Sequence, residues 1–155
     1  MIAIRTAAFP ADSDAVLDIW REYVASPSVS LDYQGYEDEF RNLPGKYAAP
    51  EGCILLAEKG ARIAGTIALR KAGPAICEMK RLYVRPEARG TGLGRTLAEA
   101  LIGAARRAGY AEMRLDVLAE FTAAQKLYTS LGFIPAEAVS FNPTPGTQFL
   151  GLSLT

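Results

Sequence analysis

The 155-residue sequence contains no histidine. That absence excludes a Ser-His-Asp triad, a Cys-His pair and any His-ligated zinc site. A general base in this chain must therefore be a carboxylate, a thiolate, a tyrosine, a lysine or a chain of waters. Cysteine is scarce as well. Cys53 and Cys77 are too few for a thiolate zinc cage, and no metal is expected. Both lie in apolar stretches and read as reduced core thiols, with a disulfide between them left open. Net charge is missing too: 17 Lys and Arg balance 17 Asp and Glu. A neutral chain lacks the basic footprint that nucleic acid or an anionic membrane would call for, so neither is expected as a partner. No apolar run reaches the length of a membrane span. Met1 to Phe9 reads as a strand and lacks the basic start and apolar stretch of a secretory leader, so a cytoplasmic protein is expected.

What is present is a globular composition, half hydrophobic and 22% charged, of a length that suits one domain over residues 1–155. Ile2 and Ile4 suggest a first strand. Asp12, Ser13 and Asp14 offer a helix start, and Val16, Ile19, Trp20, Tyr23 and Val24 recur at helical spacing. Tyr33 to Leu43 reads as a short helix with loops. Cys53 to Glu58, Arg62 to Arg70 and Ile76 to Val84 read as three strands of an antiparallel meander, turning at Lys59-Gly60 and Gly73-Pro74. A helix with Leu93, Leu97, Leu101, Ala104 and Ala108 on one face follows, then a strand over Glu112 to Val117. Strand, helix and strand in that order predict a right-handed parallel crossover. Thr122 is placed to cap a further helix, followed by a strand near Phe133 and a last one from Gln148 to Leu154.

The most informative stretch is Arg89-Gly90-Thr91-Gly92-Leu93-Gly94, between a strand and a helix. Glycines there let the backbone turn sharply and approach a ligand. The helix start offers unpaired N–H groups to a phosphate, and Arg89 and Arg95 flank them with charge. A P-loop is excluded, because Gly94 is followed by Arg95 and the required earlier glycine is Arg89. A dinucleotide fingerprint fails too, its third glycine falling on Arg95 or on Leu97.

The loop instead resembles the pyrophosphate loop of the GCN5-related N-acetyltransferase (GNAT) superfamily, Arg/Gln-x-x-Gly-x-Gly/Ala, filled here by Arg89, Gly92 and Gly94. The resemblance extends to the strand Glu78-Met79-Lys80-Arg81-Leu82-Tyr83-Val84 and to the later Leu127-Tyr128-x-x-Leu131-Gly132-Phe133 element. It implies an α/β fold: a mixed, mostly antiparallel sheet with a central parallel pair split by the coenzyme, flanked by helices. It implies acetyl-CoA as acetyl donor, held by the backbone of Leu82, Tyr83 and Val84 and by Arg89, Gly90, Thr91, Gly92, Leu93, Gly94 and Arg95. It implies direct attack of a neutral amine on the thioester, with Tyr128 hydrogen-bonding or protonating the departing sulfur. Glu78 aligns with the glutamate that acts as base in some members, a water chain being the rival. Period-two alternation puts Glu78, Lys80, Leu82 and Val84 on one face, though a bulge is common on this strand in the family. Many members carry an asparagine where this chain has Phe121.

The acceptor is expected to be a small-molecule amine. By the same resemblance its pocket would draw on Tyr33, Tyr36 and the acids Glu37, Asp38 and Glu39, together with Phe141 and Asn142, while Lys80 and Arg81 would suit a substrate carboxylate. Cation-attracting acids and carboxylate-holding cations point in opposite directions at this stage. The reading from another class is a non-catalytic acyl-CoA-binding module acting as a sensor. A homodimer is a family-level expectation only.

Overall fold

The computed structural model describes residues 1–155, the side chain of Tyr33 excepted. Among the described residues, seven strands form one sheet. Strands β1 (Ile2–Thr6), β2 (Cys53–Lys59), β3 (Arg62–Gly73) and β4 (Ile76–Val84) make an antiparallel meander. After helix α3 (Leu93–Arg107) the chain returns as β5 (Glu112–Val117), parallel to β4. The last strand, β7 (Gln148–Ser153), runs antiparallel between β5 and the two-residue β6 (Ile134–Pro135). The order is therefore β1-β2-β3-β4-β5-β7-β6, the mixed, mostly antiparallel sheet with one parallel pair that was expected. Helix α1 (Ser13–Ala25) and α2 (Tyr36–Arg41) lie between β1 and β2 in the chain, and α4 (Thr122–Ser130) follows β5.

Side chains alternate across each strand, so the sheet feeds two cores. Leu55, Ile67, Leu69, Met79, Met113 and Leu115 pack with Leu97 and Leu101 of α3. Ile54, Leu56 and Ala68 point the other way and pack with Ile19, Trp20 and Phe40 of α1 and α2. The buried stripe of α3 runs through Leu93, Leu97, Ala98, Leu101, Ile102 and Ala105, leaving Ala104 half-buried and Ala108 exposed. A strict i, i+4 row drifts about 40° around a helix at each step, so the burial follows a broader stripe than the expected one.

Local details differ from the sequence-based expectation for physical reasons. Asp12 sits at the N-cap position of α1, where the helix start was expected, but its side chain makes no cap bond. Its carboxylate accepts from the Ala8 amide at 2.7 Å and from the Arg5 guanidinium at 2.7 and 2.8 Å, tying down the corner after β1. Thr122 is the first residue of α4 rather than its cap. The segment expected as one short helix breaks at Gly35, whose φ of 64° separates a 3-10 turn at Asp32–Gln34 from α2.

The alternation expected along β4 holds for Glu78 and Lys80 and then fails. Opposite β3, the register passes from Ala68↔Lys80 to Thr66↔Tyr83, so two steps on β3 face three on β4. The extra residue is accommodated as a bulge with Arg81 at φ 57°, a left-handed conformation uncommon outside glycine. Beyond the bulge Tyr83 joins Ala68 in the α1 core, while Leu82 and Val84 turn to the α3 core.

Leu101 is fully buried between α3 and the sheet. Leu101→Ala is expected to lower unfolding stability by about 3 kcal/mol, measured by urea denaturation.

Candidate functional site

β4 and β5 are laddered only at Ile76↔Glu112, Cys77↔Met113 and Glu78↔Arg114. Beyond that point the two strands part. β4 stays on β3, and β5 stays on β7 along its whole length. The inner edge of β4 from Met79 onward therefore has no strand beside it. A cleft fills the fork, lined among others by Lys80, Leu82, Asp116, Phe121 and Tyr128.

The wide end of the fork leads to the glycine-rich loop. Gly90 and Gly92 take φ of 79° and 82°, and Gly92 is the cap residue of α3. None of the amides from Gly90 to Arg95 donates to a backbone carbonyl, which leaves a nest of N–H groups at the positive end of the helix. The loop is fixed from within: Thr91 Oγ1 donates to the Ala88 carbonyl at 2.6 Å and Thr96 Oγ1 to the Gly92 carbonyl at 3.0 Å. Arg89 lies back over Tyr83, its Nε donating to the Val84 carbonyl at 3.0 Å. Arg95 reaches the Ser130 hydroxyl on α4.

Tyr128 stands in the cleft, 6% exposed, its ring against Phe133 at 5.6 Å. Its hydroxyl has no hydrogen-bond partner among the described residues, and burial pushes the phenol well above its ordinary value. It is a neutral donor facing the cleft.

A second, larger cavity of about 460 Å³ lies between α2, the Gly45–Tyr47 turn, β3 and the β6–β7 loop. A buried charge network forms its wall. Glu39 accepts from Arg81 at 2.7 Å, Arg70 at 2.9 Å and the Tyr47 hydroxyl at 3.1 Å. Glu78 accepts from Arg70 at 3.0 Å and the Ser140 hydroxyl at 2.9 Å. Arg81, 1% exposed at its side chain, also lies over the Trp20 ring at 4.7 Å. Lys80 and Gln34 line both the cavity and the cleft.

The expected site residues are distributed unevenly over this geometry. Leu82 lines the cleft, the loop from Arg89 to Arg95 follows the end of β4 without lining that cleft, and Tyr83 is turned away by the bulge, donating its hydroxyl to Glu22 at 2.8 Å. Asn142 lines the cleft and donates to Asp116 at 3.0 Å. Tyr36 packs on Phe40 and bonds Asp32 without lining either space. Tyr33 falls outside the described side chains. Glu78 is buried and lines neither space. Arg70, Tyr47 and Ser140 were not singled out in the sequence. Their only signal is the register Arg70↔Glu78, which a linear reading does not supply.

Residues 14–133 match the model of the acetyltransferase (GNAT) family. The chain is 37% identical to an uncharacterised N-acetyltransferase of Schizosaccharomyces pombe, covering 99% of this chain and 96% of that one. Among solved structures it is similar to a Salmonella typhimurium protein solved with its cofactor acetyl-CoA, at TM-score 0.72 and 26% identity over 99% of this chain and 94% of that one. It also shares its fold with a GNAT-family acetyltransferase of Staphylococcus aureus, at TM-score 0.79 and 18% identity over the whole of both chains.

Glu39→Gln removes the charge that Arg81 and Arg70 share. A buried guanidinium left without its carboxylate is expected to cost about 3 kcal/mol of stability, read from urea denaturation.

Proposed function

The chain belongs to the acetyltransferase (GNAT) family, and from that premise we propose that it transfers an acetyl group from acetyl-CoA to the primary amine of a small molecule. The observation that carries the reading is the fork between β4 and β5, which runs from a nest of free amides to a partnerless phenol and abuts a cavity of small-molecule size.

Three features fit the donor. The amides from Gly90 to Arg95 suit a pyrophosphate. The unladdered edge of β4 beside Leu82 suits the amide groups of a pantetheine arm, by the logic of strand addition. The Tyr128 hydroxyl suits a sulfur that leaves as thiolate, since burial keeps the phenol protonated as a hydrogen-bond donor to it. Acetyl-CoA would supply the activated thioester. The protein's part is to hold it, to exclude water from the fork and to move two protons.

Glu78, the base expected from the family resemblance, has another part in this reading. Its carboxylate holds Arg70 and Ser140 at the cavity wall, and taking a proton would weaken both bonds. Asn142 shapes the mouth of the cleft from the β6–β7 loop.

Calorimetric titration with acetyl-CoA tests the donor. The parent is expected to bind and Gly92→Trp, checked for folding by urea denaturation, to lose binding. Tyr128→Phe should retain binding and lose about a hundredfold in kcat. A folded parent that does not bind acetyl-CoA overturns the reading.

A further inference from the structure

An amine acceptor arrives as an ammonium unless something takes its proton. Without histidine the candidates are few, and their surroundings narrow them further. Cys53 and Cys77 line neither the cavity nor the cleft, and burial raises both thiols, Cys77 to about 12. Burial also raises Tyr47 and Tyr128. The carboxylates are committed: Glu39 to Arg70, Arg81 and Tyr47, Glu78 to Arg70 and Ser140, Asp116 to Asn142, and Asp38 at the rim to Arg41.

Lys80 is different. It is 8% exposed, and no carboxylate lies within 4 Å of its Nζ among the described residues. It lines both the cavity and the cleft, a position it shares with Gln34 alone of the residues bordering the two. Gln34 carries no basic group. We propose that Lys80 is the general base: at the junction of the acceptor cavity and the donor cleft, its amine takes the proton from the acceptor's ammonium. This rests on the acetyl-transfer reading above.

The base must be neutral to act, and its surroundings favour that form. Burial lowers the Lys80 ammonium, as do Arg70 on β3 and Arg81 on β4, against the opposing pull of Glu78 on β4 and Asp116 on β5. The other charged and titratable groups around the two spaces are Asp38 and Glu39 of α2, Lys46 and Tyr47 of the turn, Tyr23 of α1 and Tyr128 of α4.

The step balances. Lys80 Nζ accepts one proton from the ammonium and becomes charged. The neutral amine attacks the thioester carbonyl carbon, a C–N bond forms and the C–S bond breaks. The second nitrogen proton passes to solvent as the amide forms, and the thiolate leaves as a hydrogen-bond acceptor of Tyr128 and takes one proton back from solvent. Lys80 then releases its proton to solvent.

The test has two parts. In trace labelling with acetic anhydride across a pH series, Lys80 should become reactive at lower pH than Lys46, Lys59, Lys71 and Lys126, and bound coenzyme A should shield it. Acetyl transfer is then followed with two probes, ethylamine, which is an ammonium near neutral pH, and hydroxylamine, which is not. The parent's kcat/KM for ethylamine should rise with pH through the Lys80 titration and level off above it. Lys80→Met and Lys80→Arg should lose about a hundredfold or more on ethylamine, together with that pH limb. They should keep hydroxylamine transfer and acetyl-CoA binding, and tertiary amines, which cannot be acetylated to amides, should restore part of the ethylamine rate to Lys80→Met. A Lys80 that labels like the exposed lysines, or a Lys80→Met that retains ethylamine transfer, overturns the proposal. A parent that fails to bind acetyl-CoA overturns the transfer reading instead, and the labelling still reports whether Lys80 is neutral.

Discussion

Everything functional in this fold depends on β4 and β5 parting after three paired residues. Backbone N–H and C=O groups are obligatory hydrogen-bonding groups, and sheet edges inside a domain are normally paired or covered. Here each strand is satisfied on one side only: β4 by β3 and β5 by β7. The sheet is in effect two antiparallel halves joined over a short parallel seam. Helix α3 packs against the β3–β4 half through Leu97 and Leu101 and directs its N-terminus toward the fork. The free edge, the free amides and the positive helix end are thus consequences of one topological fact.

The bulge at Arg81 gives the fork its chemistry. By inserting a residue at φ 57° it changes which face every later side chain of β4 takes. Tyr83 swings to the α1 core and Leu82 toward the cleft, while Arg81 drops over Trp20 into the grip of Glu39 and Tyr47. That grip links β4 to α2, and Arg70 extends it to Glu78 and to Ser140 in the β6–β7 loop. The short helices and loops on that side are thereby fastened to the sheet by charge as well as by the apolar packing of Phe40 and Tyr47 against Ile54, Leu56 and Ala68. Of the acids and cations expected to attract opposite acceptor charges, Glu39 and Arg81 are paired with each other in the same network, with Arg70 as the second cation on Glu39.

The order of strands and helices was legible because periodicity and turn chemistry are local. So was the glycine loop, whose residues are contiguous from Arg89 to Gly94. The acceptor wall was not. Glu39, Tyr47, Arg70 and Ser140 are far apart in the chain and meet only through strand register and the packing of α2. The bulge was foreshadowed only by the family resemblance, because nothing in Lys80-Arg81-Leu82 itself marks Arg81 for a left-handed backbone. The helix start at Asp12 to Asp14 was legible, though the Asp12 carboxylate bonds Arg5 rather than the helix amides, whereas Thr122 begins α4 instead of capping it.

The missing histidine has a physical counterpart in the buried side chains at the junction of cavity and cleft. Histidine serves proton transfer because its ordinary pKa lies near neutrality. Phenols and lysines lie well above it, and burial moves them in opposite directions, because low dielectric disfavours whichever form is charged. At this junction burial raises Tyr128, holding it as a neutral hydrogen-bond donor, and lowers Lys80, favouring its neutral amine. A single property of the site, burial, thus favours the neutral form of both groups at once. On this argument the two are coupled through their shared low dielectric rather than through contact, and exposing the junction to solvent would return both toward their ordinary values together.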